Sequence, residues 1–283
     1  MADFNGKVAI VTGANHMEGI GRGIALRLAR DGADVVVTRS HSPEKLRETE
    51  KKKGWKGLDS VVAEIKAMGR QALGVTADIS KAKDNEAMVK QVLAKFGKID
   101  ILVNNAGAVG IRGVPILEMD EKSFRYPTDV NLVGTFLCSQ AVGRAMVARG
   151  EGGKIVNVVS MEAKVSLSGD RAAYIASKSA LIGFTQALAL EMAQYKVGVN
   201  NVCPGATPTG ILEDFQAGQA KQQGVSLEDF TKDYYDHFVS ILPLKRLGTP
   251  ADIAGAVAFL ASPDSDYMCG QTILVNGGWL MEH

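Results

Sequence analysis

Lys7-Val8-Ala9-Ile10-Val11-Thr12-Gly13-Ala14-Asn15-His16-Met17-Glu18-Gly19-Ile20-Gly21 runs from an apolar stretch straight into a glycine-rich turn. Lys7 to Val11 reads as a short buried strand. Beyond the turn, Arg22 to Arg30 carries Ile24, Ala25, Leu28 and Ala29 at a helical period, and Asp31-Gly32-Ala33 supplies a stop. Val35-Val36-Val37 is the next strand. Strand, glycine turn, helix and strand make a βαβ unit, which implies a parallel pair and a right-handed crossover. The turn has a use beyond connection. A helix N-terminus presents free N–H groups and partial positive charge, which suits a pyrophosphate. Glycines let the backbone approach that group and let the helix pack closely on the strand. A turn that merely joins two elements is the plainer alternative.

The second strand delivers Thr38-Arg39-Ser40-His41, the place where such a fold meets the adenosine ribose. A carboxylate there favours NAD; here none occurs before Glu44. The Arg39 guanidinium, flanked by the hydroxyls of Thr38 and Ser40, fits a 2′-phosphate, so NADP is the expected cofactor. NAD binding without a carboxylate, with Arg39 solvated at the strand end, stays open.

Further along, strands and helices alternate. Lys45 to Gly57 is charged, with Lys51-Lys52-Lys53-Gly54-Trp55 at its centre. It reads as a solvated face, or less simply as a flap near the adenosine phosphate. Leu58 to Met68 and Asp84 to Phe96 have helical periods; Ala72 to Val75 and Ile101 to Val103 are strands, ending at Asp78-Ile79 and at Asn104-Asn105-Ala106-Gly107. Asp120 to Ala148 reads as one long helix with Pro127 near its start and Asn131, a possible satisfied core amide, in an apolar stretch. Ile155 to Val159, Val199 to Val202 and Thr272 to Val275 complete seven strands. This is one doubly wound α/β domain, residues 1–283. Residues 209–245 break the alternation after a strand's C-terminal end, which is the ligand side of such a sheet, and are expected to form a substrate lid.

Composition narrows the partners. With 46% hydrophobic residues, 22% charged residues and a formal net charge of +1, nothing calls for nucleic acid or an anionic membrane. No apolar run is long enough to span a bilayer, and no signal peptide is visible at the N-terminus. Cys138, Cys203 and Cys269 are scattered and odd in number, which fits unpaired thiols in a reducing cytoplasm. The four histidines are too dispersed for a metal site.

Chemistry concentrates between Ser160 and Lys178, which ends in Tyr174-Ile175-Ala176-Ser177-Lys178. A Tyr and a Lys four apart on a helix share a face. A free tyrosine titrates near pH ~10. A unit charge ~4 Å away, at an effective dielectric of ~20, is worth ~4 kcal/mol, enough to bring that titration toward neutrality. Such a pair makes a general acid/base, although the spacing alone is common on exposed helices.

In order along nearly the whole chain, the Thr12-Gly13 turn, Asp78, Asn104 to Gly107, Asn131, Ser160, Tyr174 with Lys178, Pro204-Gly205 with Thr209, and Gly277-Gly278 resemble the short-chain dehydrogenase/reductase family. The resemblance implies a Rossmann-like seven-stranded parallel sheet, a homotetramer or homodimer built on the long helices, and direct hydride transfer between NADP (or NAD) and a carbonyl/alcohol substrate. It implies Tyr174 as general acid/base and Ser160 as the hydroxyl that orients the substrate oxygen. Lys178 would lower the Tyr174 pKa and bind the nicotinamide ribose, and Asn131 would hold a water linked to Lys178. By the same resemblance, Gly13, Asn15, Gly19, Ile20 and Gly21 surround the cofactor's diphosphate, and Arg39 and Ser40 its adenosine ribose. Asp78 and Ile79 meet the adenine. Asn105, Ala106 and Gly107 wall the ribose beside Tyr174 and Lys178, and Pro204, Gly205, Thr207 and Thr209 hold the carboxamide.

Three departures stand out. The five residues between Gly13 and Gly19 exceed the common form and are similar to the enoyl-carrier-protein reductase branch, but that branch spaces its Tyr and Lys more widely. The Arg39 to Gly69 segment is long, and the thirteen residues between Ser160 and Tyr174 slightly exceed the usual spacing. A 3-oxoacyl-carrier-protein reductase, with Arg144, Arg149 and Lys154 greeting the carrier, and an NAD-dependent alcohol or sugar dehydrogenase are the alternatives. Polar residues from Glu162 to Arg171, including Lys164, Ser166, Ser168 and Asp170, lean toward a small hydroxylated substrate, with Tyr234, Tyr235 and His237 in the lid. A nucleotide sensor without catalysis is the alternative of another class, though such proteins lose Tyr or Lys.

Overall fold

The computed structural model describes residues 2–40, 46–167, 169–210 and 212–281; His41, Glu44, Lys45 and Ser168 lie outside the described residues. Seven strands form one parallel sheet, in the order β3-β2-β1-β4-β5-β6-β7. They are β1 (Val8–Val11), β2 (Asp34–Arg39), β3 (Ala72–Thr76), β4 (Ile101–Asn104), β5 (Gly153–Val158), β6 (Val197–Pro204) and β7 (Thr272–Val275). β1 and β4 are buried along their whole length, as expected of strands covered on both faces. Because every strand is parallel, all C-terminal ends open on one edge, and β1, β2 and β4 deliver their motifs side by side.

Helices cover both faces. On one side α1 (Ile20–Arg30), α3 (Leu58–Ala67) and α10 (Pro250–Ala261) pack Ile24, Leu28, Val61, Ile65 and Val257 onto the sheet. On the other, α4 (Ala82–Phe96), α6 (Gly134–Arg149) and α7 (Ala172–Met192) contribute Met88, Val92, Cys138, Met146 and Met192. Asp120 caps α5 (Glu121–Thr128) by accepting the Ser123 amide at 2.8 Å. The expected long helix is therefore continuous, but not uniform. Asp129–Val133 is a π-helical turn between α5 and α6, two residues after Pro127 has removed a backbone donor.

A buried polar row holds the sheet's middle. Asn104, Asn157, Asn201 and Thr272 face each other in register across β4, β5, β6 and β7. Asn104 Nδ2 donates to Asn157 Oδ1 (2.8 Å), Asn157 Nδ2 to Thr185 Oγ1 of α7 (2.8 Å), Thr185 Oγ1 to Asn201 Oδ1 (2.6 Å), and Asn201 Nδ2 to Thr272 Oγ1 (3.1 Å). β4, β5 and β6 each place one asparagine in this row and β7 a threonine, and together they tie α7 to the sheet.

Two segments lie outside the alternation. The short α2 (Glu48–Lys52) belongs to the charged segment, whose Lys51 to Gly54 are exposed as expected of a solvated run. Its Glu50 and Trp55 are not: Glu50 is buried and Trp55 half-buried against the glycine turn. The segment after β6 forms α8 (Glu213–Gln223) and α9 (Leu227–Ile241), the helical content expected of residues 209–245.

Candidate active site

A cleft of roughly 1340 Å³ runs along the C-terminal edge of the sheet. All of the expected cofactor and catalytic residues line it except Asn131, which lies behind its wall. Thr12 and Asn105 lock its floor. Thr12 Oγ1 accepts the amides of Asn105 and Ala106 at 3.0 Å each, and Asn105 Nδ2 donates to the carbonyls of Thr12 (2.8 Å) and Gly13 (3.0 Å). This lock explains two glycines. A Cβ on Gly13, whose φ is +66°, would lie 2.7 Å from Ala106 Cα, and one on Gly21 would lie 2.5 Å from Asn105 Nδ2. Gly19 caps α1 without any side-chain acceptor, and the first turn of α1 holds no acidic residue. An uncapped helix N-terminus opening into a cleft past a glycine turn suits the diphosphate of a dinucleotide.

Arg39 and Ser40 line the cleft at the end of β2, and Asp78 and Ile79 line it beyond β3. Asp78 Oδ1 already accepts both the amide and the hydroxyl of Ser80, which fixes its direction. Pro204, Gly205, Thr207 and Thr209 form the wall after β6.

Ser160 stands two residues beyond the end of β5, in extended conformation, with its Oγ accepting the Glu162 amide at 3.2 Å. Tyr174 and Lys178 lie in the first turns of α7. The Ser160 hydroxyl is hydrogen-bonded to the Tyr174 phenol. Lys178 Nζ donates to the Val158 carbonyl (2.9 Å) and stands 6.0 Å from the centre of the Tyr174 ring. Burial pushes the Tyr174 phenol up from its ordinary value, while the Ser160 hydrogen bond and the Arg171 charge pull against it. Burial also lowers Lys178, to about 8. The lysine effect expected from the spacing is thus not what dominates: desolvation acts on both groups and favours the neutral form of each, raising the phenol and lowering the ammonium.

Asn131 sits in the π turn, fully buried. Its Oδ1 accepts the Ala108 amide (2.8 Å), and its Nδ2 donates to the Ala108 carbonyl and to Ser177 Oγ (2.9 Å each). The side-chain amide is fully engaged in positioning the turn after β4 and α7. A Cβ on Gly107 would lie 3.1 Å from Asn131 Oδ1 and 3.5 Å from Lys178 Nζ, so the three converge.

Toward the open end, Glu162 and Arg171 form an ion pair beside Tyr174. Burial raises the Glu162 carboxyl, with the Arg171 and Arg112 charges opposing it. Opposite stands an aromatic wall in which Tyr234 meets Phe238 edge-on (4.9 Å between centres) and Phe238 meets Trp279 (5.0 Å). Sequence reasoning found Tyr234 but missed Phe238 and Trp279, which are distant in the chain. It also missed Arg47, which lines the cleft, because nothing local marks that residue.

Residues 13–280 match the family model described as enoyl-(acyl carrier protein) reductase. The chain is 36% identical over 280 residues to 2-dehydro-3-deoxy-D-gluconate 5-dehydrogenase of Dickeya dadantii, covering 98% of this chain and 97% of that one. It is 38% identical over 275 residues to a 3-oxoacyl-acyl-carrier-protein reductase of Staphylococcus epidermidis, covering 97% and 99%. Among solved structures, a short-chain type dehydrogenase/reductase from Mycobacterium marinum superposes with a TM-score of 0.83 at 33% identity, covering 99% and 98%. The chain belongs to the short-chain dehydrogenase/reductase family and is an oxidoreductase that uses a nicotinamide cofactor.

Proposed function

We propose that this enzyme interconverts a ketone and a secondary alcohol with NADP, using Tyr174 as general acid/base. The observation that carries the reading is the meeting of Ser160, Tyr174 and Lys178 at the end of β5, in the same cleft as the glycine turn. The nicotinamide supplies or accepts the hydride. The chain's own work is to hold the substrate oxygen and move one proton. Ser160 Oγ donates to that oxygen, and Tyr174 Oη gives it a proton in reduction or takes one in oxidation. Lys178, held by the Val158 carbonyl, would bind the nicotinamide ribose and supply the nearby cation.

Arg39 and the absence of a carboxylate at the end of β2 support NADP. Titrating the protein with NADPH and NADH, followed by nicotinamide fluorescence, should give tighter binding of NADPH. Arg39→Asp should shift the ratio toward NADH by about ten-fold or more; an unchanged ratio would remove Arg39 from the 2′-phosphate.

The cleft favours a compact hydroxylated ketone. Glu162 and Arg171 offer hydrogen bonds beside Tyr174, and the Tyr234–Phe238–Trp279 wall offers flat apolar surface. Two of the three basic residues that favoured the carrier-protein reading stand away from the cleft. Lys154 lies at the start of β5, paired with Asp266 at 2.8 Å, and Arg149 is bound to Asp100 at 2.9 Å; both are at the sheet edge opposite the cleft. Faster reduction of a deoxy keto sugar acid than of an acetoacetyl thioester would fit this reading, and the reverse order would restore the carrier substrate. Exposed Val133, Phe136 and Leu190 on the long helices support self-association into a dimer or tetramer.

A further inference from the structure

The two lengthened segments, 14–18 and 46–57, are built as one unit. The Glu50 carboxylate, 1% exposed, accepts the amides of Met17 (2.8 Å) and Arg47 (3.0 Å) and lies 3.5 Å from His16 Nδ1. The Trp55 indole donates to the Asn15 carbonyl at 2.9 Å. Arg22 donates to the Met17 carbonyl at 2.8 Å while its guanidinium lies over the Trp55 ring, 5.3 Å from its centre. The unit fixes the glycine turn and brings Arg47, its side chain 15% exposed and 3.8 Å from Glu50, into the cleft wall. There the guanidinium packs against Gly210, where a Cβ would collide with it.

We propose that Arg47 is a further cofactor-contacting residue that reads the charge common to both nicotinamide dinucleotides, their diphosphate. The sheet order carries the distinction from the 2′-phosphate. Arg39 ends β2, on the far side of β1 from β6. Arg47 instead is tied through Glu50 to the turn after β1 and reaches Gly210 in the loop after β6, so it bridges two walls of the cleft that the uncapped N-terminus of α1 also lines. Backbone amides of a helix start on one side and a guanidinium on the other complement an anionic diphosphate. Glu50 holds Arg47 in place and is a positioning residue. The proposal rests on the dinucleotide reading above.

Calorimetric titration of wild type, Arg47→Gln and Arg47→Lys with NADPH and with NADH tests it. Arg47→Gln should weaken both dinucleotides by about ten- to a hundred-fold, the worth of a charge-assisted hydrogen bond, with their ratio unchanged. Arg47→Lys keeps the charge and much of the stem, so it should lose less, again equally for both. Unchanged affinity for both would overturn the proposal, and so would a loss confined to NADPH, which would assign Arg47 to the 2′-phosphate. Failure of the wild type to bind either dinucleotide would defeat the functional reading itself; normal wild-type binding with an unaffected Arg47→Gln defeats only this inference.

Discussion

Lys178 places an ammonium where only 5% of the residue reaches solvent, with the Val158 carbonyl as its hydrogen-bond acceptor. That burial lowers its pKa to about 8. Because the folded value lies below the ordinary 10.5, the unfolded chain binds more protons between about pH 8 and 10.5. Stability from this group therefore rises with pH across that window, and below pH 8 the buried charge costs its full amount, on the order of 3 kcal/mol. Lys178→Met should abolish turnover yet be more stable than wild type at pH 7 by about 1–2 kcal/mol, after about 1 kcal/mol for the lost bond to Val158. Its advantage should shrink from pH 8 to 10 in paired denaturant titrations, whereas an advantage that widened would contradict the assignment. The Tyr174–Lys178 spacing was legible in the sequence because helix geometry alone puts the two on one face. That desolvation dominates both was not, because it depends on what the rest of the fold places around them.

The row of Asn104, Asn157, Asn201 and Thr272, joined through Thr185, anchors the catalytic helix to the strands that frame the cleft. Removing a central member strands its neighbours in an apolar interior. Asn157→Val should therefore cost about 2–4 kcal/mol, read as a lower urea midpoint with unchanged slope; an unshifted midpoint would show that the row does not bear on stability. The strands themselves were readable as apolar runs between turn residues, but nothing in any one run pointed to an amide in the next. Only the register makes them neighbours. The π turn at Asn131 was hidden for a similar reason: Pro127 was visible, but the widened turn that brings Asn131 to Ala108 and Ser177 is a tertiary choice. The contacts of Glu50 and Trp55 with the glycine turn span more than thirty residues and involve backbone amides and carbonyls, which no composition marks.

The molecule as a whole is one cleft along the C-terminal edge of a seven-stranded sheet, with the glycine turn and Arg39 at β1 and β2 and residues of α9 along its wall. The alternation of apolar runs and helical periods foretold this architecture, because a βαβ succession leaves few ways to cover a parallel sheet. The ordered motifs at its strand ends foretold which residues line the cleft. The shape of the substrate end was not legible, since its aromatic wall joins α9 to Trp279 near the C-terminus. In the proposed mechanism, proton transfer at this site runs through Tyr174. The direct measurement is consumption of NADPH with a ketone substrate, followed by absorbance at the reduced nicotinamide band, for wild type and Tyr174→Phe, alongside cofactor titration of both. Tyr174→Phe should lose at least about a hundred-fold in turnover, as expected for a general acid, with cofactor affinity within a few-fold of wild type. Retained turnover in Tyr174→Phe would contradict it.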